Sequence, residues 1–223
     1  MLEIKKISKV YHNFDREFLV LDEISFNVQE GEIVTIFGPN GSGKSTLFNI
    51  IAGLEKPSEG QVLFGDKVME NVNVGFVFQN YNDSMFPWLS VLDNVLFQLD
   101  NNKIPRTESL LKAEYVLKKV RLWDHRDKYI YQLSGGMRQL VAIARAFIIE
   151  PEFLLMDEPC SSLDYQATKK TDLELLNLWQ DKKITTIVIS HDIDEAVFLA
   201  DRIFVFSKGP GKIKTVINVD LPR

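Results

Sequence analysis

Three short segments carry residue types suited to handling a phosphorylated ligand. Gly38-Pro39-Asn40-Gly41-Ser42-Gly43-Lys44-Ser45-Thr46 fits the G-x-x-x-x-G-K-[ST] pattern. Its glycines let successive backbone N–H groups turn inward around an anion that side chains would fend off. Lys44 adds a positive charge for β- and γ-phosphates, and the Ser45 hydroxyl is a ligand for Mg²⁺. A second segment, Phe153-Leu154-Leu155-Met156-Asp157-Glu158, ends an apolar run with two carboxylates. Asp157 suits a metal, directly or through water, and Glu158, one residue on, could polarise an attacking water as a general base. The third, Leu133-Ser134-Gly135-Gly136-Met137, sets a capping serine before two glycines that bare backbone amides, a second anion-binding helix terminus.

The flanking sequence supplies elements that could position these groups. Glu32–Phe37 reads as a buried strand feeding a tight turn at Gly38, and Lys44–Ala52 as a helix closed by Gly53. Phe153–Met156 and Ile184–Ile189 are continuous apolar runs, the pattern of strands covered on both faces. Between them, Ala167–Trp179 reads as a crossover helix with Leu173, Leu176 and Trp179 inward. Leu2–Val10, Phe18–Val28 and Gly60–Val68 alternate with period 2 and predict a small antiparallel layer. From Val91 to Val120 the spacing turns helical, through Leu92, Val95, Leu96 and Leu99, then Leu110, Leu111, Tyr115 and Val116. A further helix is expected over Arg138–Ile149. The expectation is an α/β core with a mostly parallel sheet, an antiparallel β subdomain and an α-helical subdomain. All of it would form one domain over residues 1–223, with the helical part inserted at about 83–148.

Composition narrows the function classes. The 223 residues are 45% hydrophobic and 26% charged, with a formal net charge of -5, and so lack the basic excess that draws a protein onto nucleic acid. No apolar run approaches the ~20 residues needed to cross a bilayer, and MLEIKKISKVYHNF lacks the apolar stretch of a signal peptide. A cytoplasmic chain is expected, with any membrane spans supplied by another polypeptide. The single cysteine, Cys160, cannot form an intrachain disulfide, no Cys/His cluster has zinc-site spacing, and Cys160 reads as a small buried filler.

Taken in order, these segments make the chain resemble the ABC ATPases over essentially its whole length. The marks are Tyr11 as the adenine-stacking aromatic, the loop Gly38–Thr46, Gln79 in Val-Phe-Gln-Asn, Leu133–Met137 continuing into Arg138-Gln139, the acids Asp157 and Glu158, Ser161-Ser162-Leu163-Asp164, and His191 after Ser190. The resemblance implies a P-loop NTPase fold of the ABC type that binds ATP with Mg²⁺ and hydrolyses it. It further implies that ATP in the loop of one copy is capped by Ser134, Gly135 and Gly136 of a second, so that two sites form across a head-to-tail homodimer. By the same resemblance Gln79 would contact Mg²⁺ and the attacking water, His191 would hold the γ-phosphate and orient that water, and Asp164 would cross the dimer interface.

Pro87-Trp88 ahead of Val91-Leu92-Asp93-Asn94-Val95, with Gly209-Pro210-Gly211-Lys212-Ile213 and Val219–Arg223 near the end, is similar to the nitrate, sulfonate and taurine importer branch. That branch pairs two ATPase subunits with two integral membrane permease subunits, served by a solute-binding protein, and would hold this chain at the cytoplasmic face of the membrane. Leu140, Ser162 and Tyr131-Gln132 depart from the branch pattern without removing a catalytic group. The chain ends at Arg223 without a long extension, so feedback control by a C-terminal domain is not expected. The alternatives are a soluble ABC ATPase acting on nucleic acid or ribosomes, and a P-loop small-molecule kinase. Neither the tandem domains, coiled coils, zinc fingers or basic patches of the first, nor a reason for a kinase to carry Leu133–Met137, is visible.

Overall fold

Residues at alternate positions of the apolar strands bury against two different layers, and this division organises the molecule. The computed structural model describes residues 1–13, 16–65, 67–68, 72–100, 104–160 and 165–221. Among these, β1 (Leu2–Asn13), β2 (Arg16–Val28), β4 (Glu59–Phe64) and β5 (Lys67–Val68) form a four-stranded antiparallel sheet in the order β2-β1-β4-β5. The second sheet takes β3 (Ile33–Phe37), β6 (Val74–Val77), β7 (Phe153–Asp157), β8 (Thr185–Ser190), β9 (Arg202–Phe206) and β10 (Ile213–Asn218) in the order β10-β9-β3-β8-β7-β6. Its pairings are parallel except for the edge strand β10. The helices are α1 (Lys44–Ile51), α2 (Val91–Asp100), α3 (Arg106–Lys119), α4 (Gly135–Ile148), α5 (Tyr165–Lys182) and α6 (Ile193–Leu199).

Val34, Ile36, Phe153, Leu155, Ile187 and Ile189 form one core with Leu47, Phe48 and Ile51 of α1 and with Leu2, Ile4 and Leu21 of the antiparallel sheet. Ile33, Leu154, Met156 and Val188 join the other core, with Val141 and Ile148 of α4, Leu175 and Leu178 of α5, and Val95 and Leu96 of α2. A strand buried on both faces shows no polar alternation, which is why Phe153–Met156 and Ile184–Ile189 read as unbroken apolar runs. No helix among the described residues is long and apolar enough to cross a membrane.

One inward assignment is corrected. Leu173 is 53% exposed, while Thr171, Asp172, Glu174, Leu175 and Leu178 take the buried face of α5. Polar groups occupy that face because partners meet them there: Cys160 Sγ donates to Asp172 Oδ1 at 3.4 Å, and Arg121 reaches Glu174 at 2.9 Å. Leu111 and Tyr115 of α3 are likewise exposed. The Tyr115 hydroxyl donates to Asp181 Oδ2 at 2.6 Å, which ties the ring to α5 from outside the core.

Asn94, fully buried on α2, holds the turn before that helix. The Phe86 backbone N–H donates to its Oδ1 at 2.9 Å, and its Nδ2 donates to the carbonyls of Phe86 (3.0 Å), Leu89 (3.2 Å) and Ser90 (3.0 Å). Replacing it by Ala takes this partner from the part-buried Phe86 N–H and Leu89 carbonyl and empties a buried polar site, at a cost of about 2–3 kcal/mol. Asn94→Ala is expected to lower the melting temperature by roughly 5–10 °C while leaving ATP affinity unchanged. Thermal unfolding followed by circular dichroism, alongside a nucleotide titration, checks both.

Candidate active site

Four neighbouring parallel strands deliver the chemically capable residues at their carboxyl ends, the edge where open parallel sheets bind ligands. Across the order β3-β8-β7-β6, β3 runs into Gly38, β8 ends just before His191, β7 just before Glu158, and β6 two residues before Gln79.

The loop after β3 closes on a glycine, where no side chain fits. Gly43 sits at φ +86°, and a Cβ there would lie 2.7 Å from Leu21 Cδ2 and 3.0 Å from the Val20 carbonyl. Gly43 caps α1 without a side-chain hydrogen bond, so the first-turn N–H groups, at the positive end of the helix dipole, are left for an anion. Pro39, Asn40 and Gly41 are exposed at the mouth, Ser45 is exposed on the first turn beside Thr46, and Gly38 is buried. Among the described residues, the buried Ser42 hydroxyl has no hydrogen-bond partner. Lys44 Nζ donates to the carbonyls of Gly38 (2.8 Å) and Pro39 (3.0 Å). Burial pulls the Lys44 pKa down, against the opposing pull of Glu158 and Asp157.

Both oxygens of Glu158 are engaged. Gln79 Nε2 donates to Oε2 at 2.9 Å, and His191 Nδ1 lies 3.1 Å from Oε1. The Glu158 N–H donates to the Ile189 carbonyl at 2.8 Å, pinning the residue to β8 at a positive φ of 46°. Glu158 thus turns away from the line of the strand while Asp157 continues it. Burial raises the Asp157 pKa to about 6, with the charge of Glu158 pushing the same way and Lys44 opposing.

Tyr11 is 39% exposed. Its hydroxyl donates to Glu55 Oε2 at 2.8 Å, and the Thr46 side chain is within hydrogen-bonding range of it. Lys9 Nζ lies 2.9 Å from Glu55 Oε1 and 5.0 Å from the centre of the tyrosine ring. Glu55 and Lys9 carry no motif and no sequence signal singles them out, because the contact bridges residues 44 apart in the chain.

Ser134 caps α4, its hydroxyl accepting from the Met137 N–H at 3.3 Å. The Gly135 carbonyl accepts from Tyr81 at 3.3 Å, and a Cβ on Gly136 would lie 3.5 Å from Ala167. Among the described residues, no hydrogen bond or ion pair joins Ser134, Gly135 or Gly136 to the loop Gly38–Thr46. Asp164 lies outside the described residues. Ser45, Gln79 and Asp157 offer a hydroxyl, an amide and a carboxylate oxygen, a hard donor set that fits Mg²⁺. Asp157, desolvated beside a second carboxylate, stands where a cation relieves repulsion.

Comparison with known proteins matches residues 21–161 to the family model described as ABC transporter. The aliphatic sulfonates import ATP-binding protein SsuB of Bacillus cereus is 40% identical over 230 residues, covering 99% of this chain and 87% of the relative. The bicarbonate transport ATP-binding protein CmpD of Synechocystis sp. is 40% identical over 223 residues, covering 96% and 78% respectively. Among solved structures, a dimeric ATP-binding cassette in a post-hydrolysis state, bound to ADP and Pi, superposes with a TM-score of 0.84 at 32% identity, over 98% of this chain and 99% of that one.

On folding, the buried Asp157 carboxyl retains a proton that the unfolded chain releases. Between the ordinary carboxylate range and about 6, the nucleotide-free fold therefore loses stability as pH rises. Asp157→Asn, which carries no charge, is expected to melt a few degrees above the parent chain at pH 7.5. The difference should shrink to nothing as pH falls to ~4, and melting curves across that range check it.

Proposed function

Because the chain belongs to the ABC transporter family, as an ATP-binding and ATP-hydrolysing subunit, we propose that it powers import of a small solute of the nitrate, sulfonate or taurine type through a separate membrane permease. The observation that carries the catalytic part is the three-way contact of Gln79, Glu158 and His191 at adjoining strand ends. In this reading ATP enters with its phosphates against the N–H groups of Gly41–Thr46. Lys44 exchanges the Gly38 and Pro39 carbonyls for β- and γ-phosphate oxygens, and Tyr11 lies against the base. Ser45, Gln79 and Asp157 would hold Mg²⁺, which neutralises phosphate charge when bound.

Glu158 accepts a proton from the water that attacks the γ-phosphorus. As the new P–O bond forms, the bond to the bridging oxygen breaks and ADP leaves with its electron pair. His191 donates to the γ-phosphate and, through its contact with Glu158, fixes where the water sits. Gln79 orients the carboxylate from the other side. Ser134, Gly135 and Gly136 act on the nucleotide of a second copy, which accords with their lack of hydrogen bonds to the loop in cis, and Asp164 joins the two copies. The helical region at about 83–148 is then the arm that carries Ser134 to the partner, inserted in a single domain.

Import is supported by the relatives, two of which are named for bicarbonate and aliphatic sulfonates. Peripheral attachment at the cytoplasmic membrane face follows from a permease partner. Trp88, 69% exposed beside Phe86 with ring centres 5.5 Å apart, on the turn that Asn94 holds, is the side chain we assign to permease docking.

Glu158→Gln keeps the hydrogen-bonding shape and removes the base. We expect it to retain ATP, form a stable ATP-bound dimer on size exclusion, and hydrolyse at least ~10²-fold more slowly; normal turnover by a monomeric variant would refute the assignment. Trp88→Glu should lose co-purification with the permease at unchanged ATP affinity. A complex that survives this change and still transports would remove Trp88 from the interface.

A further inference from the structure

Beneath the strand ends that carry Glu158 and His191, three ligating side chains meet in the interior. Cys160 follows β7 and is 6% exposed, Asp172 projects from α5 at 1%, and Glu195 lies in the first turn of α6 at 4%. Cys160 Sγ donates to Asp172 Oδ1 at 3.4 Å and is also within hydrogen-bonding range of Glu195. One ligand atom from each of the three lies within 4.8 Å of the others. The Ser190 hydroxyl donates to Glu195. Among the described residues, Asp172 Oδ2 and Glu195 Oε1 have no hydrogen-bond partner.

Two carboxylates buried side by side, each with an idle oxygen, make a costly arrangement. The two acids repel each other, and Lys169 only partly offsets the charge on Asp172. Burial with that repulsion raises the Asp172 carboxyl to about 7, and burial likewise raises Glu195. A bound cation would relieve the whole cluster, and the donor atoms indicate which kind. Mg²⁺ and Ca²⁺ take shells of oxygens, whereas a thiolate selects a softer, tetrahedral ion. With metal–sulfur near 2.3 Å and metal–oxygen near 2.0 Å, the sulfur–oxygen edge of such a tetrahedron is about 3.5 Å. The Cys160–Asp172 spacing of 3.4 Å matches it, and Glu195 lies within hydrogen-bonding range of the same sulfur.

We propose that Cys160, Asp172 and Glu195 bind one Zn²⁺-class divalent cation. Binding displaces the Cys160 thiol proton and any proton held between the carboxyls. The ion would link the chain two residues past Glu158 to the helix that follows His191, so it braces the two strand ends against each other. The site is independent of the phosphate loop and of the transport reading above.

The chain contains one cysteine, and this makes a direct test possible. The full-length protein, stripped with a chelator, is titrated with Co²⁺ and followed in the near ultraviolet. A thiolate-to-cobalt charge-transfer band saturating at one equivalent, and bleached by one equivalent of Zn²⁺, is the expected result, and in the unmodified chain it can arise only at Cys160. Cys160→Ser should abolish the band, and Asp172→Asn should weaken Co²⁺ binding by an order of magnitude or more. Saturation with excess Co²⁺ without a band in the unmodified chain, or a band that persists in Cys160→Ser, would overturn the proposal and leave a carboxyl pair sharing a proton. The spectrum of the unmodified chain decides the matter even where a variant fails to fold.

Discussion

The bare backbone between Gly38 and Gly43 is the constraint to which the surrounding strands are fitted. An anion can be gripped by N–H groups only where no side chain intervenes, and here the neighbouring chain has closed in as tightly as that allows. Leu21 and Val20 of β2 press on Gly43 from one side. Beside them, Gly211 approaches the Ser42 carbonyl so closely that a Cβ would collide with it. Gly211 is itself tied down by hydrogen bonds from its N–H to Val20 and from the Asp22 N–H to its carbonyl. The antiparallel sheet and the segment before β10 therefore brace the loop together, and the loop's shape is imposed from outside as much as by its own sequence.

That bracing explains how separate stretches of chain come to share one edge. Parallel strands send all their carboxyl ends in one direction, and the crossover helices between them leave those ends free. Gly38, His191, Glu158 and Gln79 each stand just beyond a strand, on four neighbours in the sheet. Glu158 departs from the strand line through its positive φ, which lets two consecutive acids face different tasks. Asp157 stays in line with β7, and Glu158 swings between Gln79 and His191.

Much of this was legible because local chemistry and periodicity agree. The glycine loop lies between a strand and a helix as its pattern demands, and Ser134 caps α4 as its residue type suggests. The antiparallel layer followed from period-2 alternation, since one face of those strands is wet. Legibility failed where tertiary contact overrides pattern. Leu173 was read as inward but sits off the buried face, because polar side chains with partners of their own occupy the interior face of α5. β6, β9, β10 and α6 were not anticipated; β6 and β9 are only four and five residues long. Cys160 read as filler because its carboxylate neighbours come from two helices further along the chain, and no local pattern encodes that meeting.

Charge balance around Lys44 ties these features into one device. Burial pulls the Lys44 pKa down, Glu158 and Asp157 oppose that pull, and the Gly38 and Pro39 carbonyls accept from its ammonium. When phosphate replaces those carbonyls, Lys44 trades one set of acceptors for another, so its own net gain is smaller than the full strength of a new ion pair would suggest. The loop amides differ: at the start of α1 they have no side-chain cap to give up, so hydrogen bonds made to phosphate replace water rather than a protein partner. In the proposed reading, Lys44 carries positive charge to the point where two carboxylates would otherwise repel the anion.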